Sequence, residues 1–348
     1  MNVFTNAALP GDLLILPLEF HLKAQSRLSV PEFSGSVFRG LFARALKQMI
    51  CTHPDRQAGL QDCNPCTLQS GCSYFRWMEP ANTDSLPWFK GSDIPRPYLI
   101  IPPKSKVNPD KTVRSAFRLR MNLFGQAVQA LPLFIYAMEQ AGRLSGEDGP
   151  YRGRFSVQRV FLSSWSGKRT LLYESADRQI GTFSPLMLND LIAEATQVAA
   201  GLDRSAPLLI HFNTPVNLKS SGRLMGPGPE NAPFSVQKVA DSLLERLAIL
   251  AHFHQSAKAD DRPFWHGPLP PVQSGLRWHS VKRYSNRHQS SQVWYGFTGS
   301  ATIYPPWTDL FPLLWCGQYL SLGRHTTFGF GHYRVHGTQL SPPGDFVI

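Results

Sequence analysis

Four of the five cysteines lie within a short stretch near the N-terminus, where their spacing is typical of metal ligands. Cys51, Cys63, Cys66 and Cys72 follow the pattern C-x11-C-x2-C-x5-C. A close pair with two flanking thiols suffices for a tetrahedral structural site, so the spacing predicts structural zinc. An iron–sulfur cluster uses the same ligands and is one alternative, and four unligated cysteines are the other. Cys316 lies alone in an apolar run, which predicts a buried packing residue.

A glycine-rich segment near the C-terminus, LSLGRHTTFGFGHYRV, combines turn-forming residues with basic side chains. Its glycines permit positive φ angles and let the backbone approach a ligand closely. Successive N–H groups in such a bend can bind an anion, and neighbouring basic side chains add charge beside a phosphate. The alternative is an ordinary helix-to-strand turn with a β-bulge. The residues predicted to contact phosphate are Gly323, Arg324, His325, Gly329 and Gly331.

A second basic segment, WHSVKRYSNRHQ, begins at Trp278. Cations alternate here with aromatic rings, which supplies charge for phosphates and flat surfaces for bases. A solvated basic strand with two core aromatics is the alternative. The residues predicted to bind nucleic acid are Lys282, Arg283, Tyr284, Arg287 and His288.

The overall charge agrees with a polyanionic partner. The chain has 348 residues, a formal net charge of +11 and a pI near 9.6. No stretch approaches the ~18 consecutive apolar residues of a membrane span, and we find no export signal. We therefore expect a cytoplasmic protein that binds nucleic acid rather than a membrane. In the cytoplasm, clustered thiols favour a metal over disulfides.

Hydrophobic periodicity predicts the order βαββαβ twice, which indicates an α+β fold of two tandem ferredoxin-like (RRM-like) domains. The first domain is predicted over residues 1–175 with a cysteine-rich insertion at 51–79, then a linker over 176–205, then the second domain over 206–348. The predicted strands are 12–25, 96–101, 117–124, 155–163, 208–219, 275–284, 293–304 and 326–335. The predicted helices are 33–50, 125–142, 236–250 and 307–322, with Pro132 as a kink or early-turn residue.

The order of several segments resembles one protein family along nearly the whole chain. The segments are GSVFRGLFARAL, CSYFRWMEP, RPYLIIPP, LFGQAVQALPLFIYAMEQAG, LLIHFNTPVNLK, WHSVKRYSNRHQ and LGRHTTFGFG. Together they resemble the CRISPR-associated endoribonucleases that process precursor crRNA, within the RAMP superfamily. The resemblance implies tandem ferredoxin-like domains, the second being the RAMP domain with its glycine-rich loop. It also implies CRISPR repeat RNA or crRNA as partner, with other CRISPR effector subunits as further partners. In this loop Arg324 stands where a lysine is common in the family.

The resemblance further implies RNA cleavage without a catalytic metal, which leaves a 2′,3′-cyclic phosphate and a 5′-hydroxyl. Such chemistry needs proton transfer and a cation at the phosphate, and histidine suits the first role. In the family this histidine usually lies on or just after the first helix, which points to His53, with Lys47 or Arg39 as the stabilising cation. His288 and His325 are the reserves, and a surface or structural histidine is the alternative for each. A catalytically inactive crRNA-binding subunit is the alternative function, and a DNA-binding protein is a third.

Overall fold

The computed structural model describes residues 11–26, 28–29, 31, 33–53, 63, 66–80, 86–89, 94–103, 112–113, 116–144, 153–257, 259–285 and 290–337. They form a mixed α+β protein built on antiparallel strand pairs. They divide into two compact units. The N-terminal unit comprises the described residues of 16–83 and 91–185, and the C-terminal unit comprises those before residue 16, of 84–90 and from 186 onward.

The N-terminal unit is built on a sheet with the strand order β3-β5-β1-β6-β7. Its elements are β1 (Leu14–Ala24), β2 (Leu28–Ser29), α1 (Gly35–Ile50), α2 (Ser73–Met78), β3 (Tyr98–Ile101), β4 (Thr112–Val113), β5 (Ala116–Phe124), α3 (Leu131–Leu144), β6 (Phe155–Ser163) and β7 (Arg169–Glu174). Apolar residues recur at helical spacing in α1, and its Phe38 packs against Phe117 of β5 and Phe155 of β6. The opposite face of this sheet carries the polar residues of β1 and β5.

The C-terminal unit contains a second sheet, with the strand order β12-β13-β9-β14. Its elements are β8 (Leu186–Met187), α4 (Leu188–Ala200), β9 (Leu208–Val216), β10 (Lys219–Ser220), β11 (Arg223–Leu224), α5 (Val236–Gln255), β12 (Val272–Ser285), β13 (Ser290–Ile303), α6 (Phe311–Leu320) and β14 (Tyr333–His336). The helix α5 begins where the Ser235 side chain accepts a hydrogen bond from the Lys238 amide at 3.2 Å. Cys316 is buried in α6, as predicted.

The predicted order of strands and helices is present in both units. In each sheet the third strand of the βαββαβ pattern lies between the second and the first, and the fourth lies on the far side of the first. The stretch predicted as a linker, 176–205, contains α4, and α4 packs against α6 in the C-terminal unit. No described helix is both long and apolar enough to span a lipid bilayer.

Two predicted elements differ from the structure in ways that bear on the site. The helix predicted from residue 125 begins with a 3-10 turn, Gly125–Ala130, and Pro132 is an early-turn residue of α3. The strand predicted from residue 326 begins only at Tyr333, because a short 3-10 helix, Thr326–Phe328, and two glycine turns come first. The glycines therefore shape a turn before the strand.

Candidate functional site

A long β-hairpin projects the basic segment from the sheet of the C-terminal unit. Its strands β12 and β13 pair over fourteen residues each, from Val272↔Ile303 to Ser285↔Ser290. Lys282 is exposed on β12, and Trp278 lies nearly parallel to Tyr295 of β13 with ring centroids 6.2 Å apart. The hairpin thus carries both exposed charge and aromatic surface.

Arg283 of β12 is held by two aromatic rings. Its guanidinium carbon lies 4.5 Å from the ring centre of Trp294 and 4.6 Å from that of Phe328. Such contacts hold a guanidinium in place without cancelling its charge. Because Phe328 belongs to the glycine-rich segment, this contact joins the two predicted binding segments into one surface, here called the hairpin–glycine surface.

His325 stacks on the same tryptophan. The two ring centroids are 3.9 Å apart and the planes differ by only 5°, while Phe330 approaches the His325 ring edge-on at 5.6 Å. The backbone of His325 has φ of 63°, in the left-handed region. This reserve histidine is therefore held in the packing of the turn by Trp294 and Phe330.

The glycines of the segment are required by space as well as by conformation. Gly323, Gly329 and Gly331 have φ of 75°, 91° and 77°. A Cβ on Gly323 would lie 2.3 Å from the Asn217 carbonyl oxygen, and one on Gly331 would lie 1.9 Å from that of Leu322. Only glycine fits such positions.

Most of the segment's amides donate to carbonyl oxygens inside the protein. Arg324 donates to Asn217 at 2.8 Å, Gly331 donates to Pro215 at 2.8 Å, and Phe328 and Gly329 donate within their own turn. These amides are committed to the fold, so they do not form the anion-binding concavity that the glycine pattern suggested. The exposed group here is the Arg324 side chain, which the structure places beside His325.

Three further residues, not found from the sequence, hold this surface together. Trp294 of β13 contacts Arg283 and His325 as described above. Arg246 of α5 donates to the Gly323 carbonyl oxygen and, at 3.1 Å, to the Thr326 hydroxyl. The Asn217 side chain donates to the Tyr295 carbonyl oxygen at 2.7 Å. Of these three residues, only Trp294 could have been suspected from the sequence, because it lies in the strand predicted to follow the basic segment.

The side chains of three predicted binding residues are not described by the structure. Arg287 and His288 lie outside the described residues, and of Tyr284 only the backbone, paired with Ser291, is described. Their predicted contacts with RNA stay predictions.

Helix α1 brings two of the predicted catalytic residues to one side of the helix. Arg39 and Lys47 are eight residues apart on α1, and Lys47 lies over the ring of Tyr74 in α2. The Lys47 ammonium lies 5.7 Å from the Tyr74 ring centre, and the charge of Arg39 acts on the Tyr74 hydroxyl. Burial is the main cause that raises the pKa of Tyr74 well above its usual range, followed by the negative charge of Glu79.

Lys47, one of the two candidate cations, is not available at the surface. Tyr74 of α2 lies over its ammonium group, and Lys47 is only 5% exposed. Arg39 is half-buried, and His53, three residues beyond the last helical residue, is exposed. The exposed histidine and the half-buried arginine therefore keep access to solvent, whereas the lysine is enclosed.

The four cysteines predicted as metal ligands do not form a metal site in the part of the chain that the structure describes. Among the described residues, no three histidine, cysteine, aspartate or glutamate side chains are close enough to hold a metal ion. Cys63 is buried, and its pKa is raised to about 11, mainly by burial and then by the charge of Glu79. The Cys51 thiol donates to the His53 carbonyl oxygen at 3.8 Å. The thiols as placed do not fit a tetrahedral metal site.

The fold and the hairpin–glycine surface together define a basic α+β protein with cations held on aromatic rings, an arrangement that suits nucleic acids. Comparison with known families agrees. Residues 210–333 match the model of the CRISPR-associated endoribonuclease Cas6, and residues 12–184 match a model described only as an N-terminal domain. This C-terminal part of the chain is therefore similar to the Cas6 endoribonucleases.

Individual relatives are distant. An uncharacterized protein of Archaeoglobus fulgidus is 23% identical over 310 residues, which cover 88% of this chain and 92% of the relative. A solved partial Cas6-RT-Cas1–Cas2 complex shares the fold with a TM-score of 0.54 and 12% identity, over 95% of this chain and 47% of that one. The Thermus thermophilus Cas6 structure is 15% identical with a TM-score of 0.47, over 93% and 99% of the two chains.

Proposed function

We propose that the protein binds CRISPR repeat RNA and cuts precursor crRNA to mature crRNA without a catalytic metal. The hairpin–glycine surface is the single observation that supports this most directly, because it joins the two predicted binding segments within the part that matches Cas6. We also propose that both units are ferredoxin-like domains, which their shared strand order supports. The protein would stay bound to its product and meet other CRISPR effector subunits.

The proposed reaction is a transfer within the RNA. The ribose 2′-oxygen attacks the adjacent phosphorus while a base takes its proton. The bond from phosphorus to the 5′-oxygen then breaks, and an acid gives that oxygen a proton. The products are a 2′,3′-cyclic phosphate and a 5′-hydroxyl.

His53 is the proposed acid–base group, since it is exposed and histidine exchanges protons near neutral pH. Arg39 is the proposed cation that stabilises charge on the phosphate, because a half-buried guanidinium on α1 can reach a bound ligand. Lys47 is the weaker candidate, since its enclosure against Tyr74 restricts contact with RNA.

The test is incubation with the cognate repeat RNA in excess EDTA. We expect fragments that end in a cyclic phosphate, and a 2′-deoxy substitution before the cut should block cleavage. His53→Ala should slow cutting by about a hundredfold or more while RNA binding persists. His266→Ala is the matched control, because His266 is an exposed histidine that lies against Phe264 with the two rings tilted, and it belongs to neither candidate surface. If the His53→Ala variant cuts RNA at the wild-type rate, His53 is not the acid–base group.

A catalytically inactive crRNA-binding subunit is the second candidate. The enclosure of Lys47 and the packing of His325 against Trp294 favour it, because both remove candidates for the chemistry. RNA that is bound tightly but left intact in the EDTA assay would support this function over cleavage.

A structural metal is a separate proposal that rests on the spacing of the four cysteines. The described thiols do not fit such a site, and deprotonation of the buried Cys63 would have to be offset by metal binding. Elemental analysis decides it. Zinc or iron in stoichiometric amount would support the proposal, and absence of both metals would remove it.

A further inference from the structure

The long β12–β13 hairpin has two faces, and only one of them contacts the glycine-rich segment. Side chains alternate between the two faces of a strand. Arg283 and Trp294 lie on the face that contacts Phe328. The register places Ser280 opposite Tyr295 and Lys282 opposite Val293 on the other face. This second face is here called the Trp278 face, and its members are Trp278, Ser280, Lys282, Val293 and Tyr295.

The Trp278 face presents aromatic and apolar side chains to solvent. Trp278, Val293 and Tyr295 are 36%, 42% and 44% exposed. The planes of the Trp278 and Tyr295 rings differ by only 16°. Two neighbouring rings of similar orientation therefore form a flat surface on the outside of the hairpin.

Both aromatic residues are held in place by their surroundings. The backbone of Gly226 lies against the indole of Trp278, because a Cβ at Gly226 would lie 2.5 Å from the Trp278 Cζ3 atom. The Asn217 side chain donates to the Tyr295 carbonyl oxygen at 2.7 Å, and the Asn217 carbonyl oxygen accepts from the Arg324 amide at 2.8 Å. A surface that is ordered before binding loses less conformational entropy when a ligand binds. The Trp278 face is thus a preformed surface connected to the glycine-rich turn.

The charge of the hairpin favours a polyanion as the ligand of this face. Residues 272–303 contain no aspartate or glutamate, so every carboxylate is absent from the hairpin sequence and its formal charges are all basic. Lys282 is exposed in the same row as the two rings, and Arg277 is exposed on the same strand. The cores of protein–protein contacts are depleted of lysine. Rings for bases beside a cation for phosphate are typical of surfaces that bind single-stranded nucleic acid.

We propose that the Trp278 face binds an unpaired segment of RNA, in which a base stacks on Trp278 or Tyr295 and Lys282 contacts a neighbouring phosphate. This inference deepens the proposed function, since it rests on the proposed RNA partner and names a single-stranded segment as the part that this face recognises. It is independent of cleavage. RNA would then contact both faces of the hairpin.

The test is fluorescence anisotropy at several salt concentrations with a labelled oligoadenosine of about 16 nucleotides. A second RNA of the same length, whose nucleotides lack bases, is measured in parallel. Trp278→Ala and Tyr295→Ala should each weaken oligoadenosine binding by roughly fivefold to a hundredfold, the effect of losing one stacked base. The salt-dependence slope should not change, because no cation is lost, whereas Lys282→Ala should reduce it by about 0.7. Neither aromatic variant should change the affinity for the RNA without bases.

Two variants serve as controls. Tyr136→Ala is matched to Tyr295→Ala, because Tyr136 is a tyrosine of α3 that is 51% exposed and lies in the N-terminal unit. It should leave the affinity and the slope unchanged. Trp278→Phe keeps an aromatic ring and should recover part of the affinity that Trp278→Ala loses.

The inference is wrong if Trp278→Ala and Tyr295→Ala bind oligoadenosine like the wild type. It is also wrong if they lose affinity for both RNAs equally, because the rings would then only support the hairpin. A variant that changes the oligomeric state but not the affinity for oligoadenosine would make this face a protein contact instead.

The remaining outcomes separate this inference from the proposed function. Stacking tolerates any base, so a wild type that binds repeat RNA but not oligoadenosine would overturn the inference and leave the proposed function standing. A wild type that binds oligoadenosine but leaves repeat RNA intact would overturn cleavage alone. A wild type that binds no RNA would overturn both.

Discussion

The N-terminal sheet and the hairpin–glycine surface hold arginines in opposite ways. The sheet contains the buried carboxylate of Glu19 and the side chains that contact it, here called the Glu19 cluster, which are His21, Arg118, Arg120 and Arg169. In the first, Arg120 and Arg169 are fixed by a buried carboxylate. In the second, Arg283 is fixed by the rings of Trp294 and Phe328. In the first scheme a carboxylate offsets part of the positive charge, whereas the contacts in the second are with uncharged aromatic rings.

The difference has energetic consequences. A cation–π contact contributes about 0.5–2 kcal/mol, whereas removing one partner of a buried ion pair costs about 3–5 kcal/mol because the other charge is left uncompensated. The Glu19 cluster should therefore matter more to the stability of the fold than Arg283 does. The hairpin–glycine surface should matter more to RNA binding, because aromatic rings hold a guanidinium in place without neutralising it.

The largest effect is expected from Glu19→Gln. The substitution keeps the side-chain shape but removes the negative charge that the buried Arg120 contacts, which should cost about 3 kcal/mol of unfolding free energy. Urea unfolding measures it. Glu174→Gln is the matched control, because the Arg159–Glu174 pair is 55% and 32% exposed and such pairs contribute about 0–1 kcal/mol. Equal losses for the two variants would contradict the comparison.

The same variant has a pH signature. The pKa of Glu19 is depressed in the folded protein, so its stabilisation is fully present above the unfolded value of about 4.3. It is lost as the pH falls through the folded value. The stability difference between wild type and Glu19→Gln should therefore be constant near neutral pH and shrink in acid. A difference that grows in acid would show that Glu19 is protonated in the fold.

The next largest loss of stability is expected in the glycine-rich turn that supports Arg283. Gly331→Ala adds a Cβ that would lie 1.9 Å from the Leu322 carbonyl oxygen, at φ of 77°. Left-handed φ alone costs about 1–2 kcal/mol, and the clash adds to it. Gly222→Ala is the matched control, because Gly222 has φ of 80° with nothing within 4 Å of an added Cβ. Gly331→Ala should lose more unfolding free energy and RNA affinity, and equal losses would contradict a packing role for Gly331.

The two regions also differ in how far the sequence could predict them. The order of strands and helices followed from apolar periodicity, and the basic segment with the glycine-rich turn was recognisable from composition. The role of Trp294 was not, because a contact between strand β13 and a distant turn depends on register. The enclosure of Lys47 depends on α2, a six-residue helix too short to show periodicity.

Glu19 and its charged neighbours follow a recognisable pattern in the sequence. In β1, Glu19 and His21 alternate with apolar residues, and in β5 Arg118 and Arg120 do the same. Alternation usually indicates a solvent face, yet opposite charges at alternating positions of two strands also indicate pairing between them. Only the strand order, with β5 beside β1, shows that the charged residues of the two strands pair with each other instead of facing solvent separately. The sequence thus contained the residues, while the fold determined their burial.

The smallest effect separates the geometry of a ring-bound arginine from its charge. Arg283→Lys keeps the positive charge but loses the planar group that stacks on Trp294 and Phe328. The salt-dependence slope of RNA binding should stay at the wild-type value while affinity falls several-fold, because the ammonium is no longer positioned. Arg283→Ala should lower affinity further and reduce the slope by about 0.7, the value for one lost contact with single-stranded RNA. Wild-type affinity for Arg283→Lys would show that the rings only support the fold, and the contrast with the carboxylate-bound arginines would then be one of stability alone.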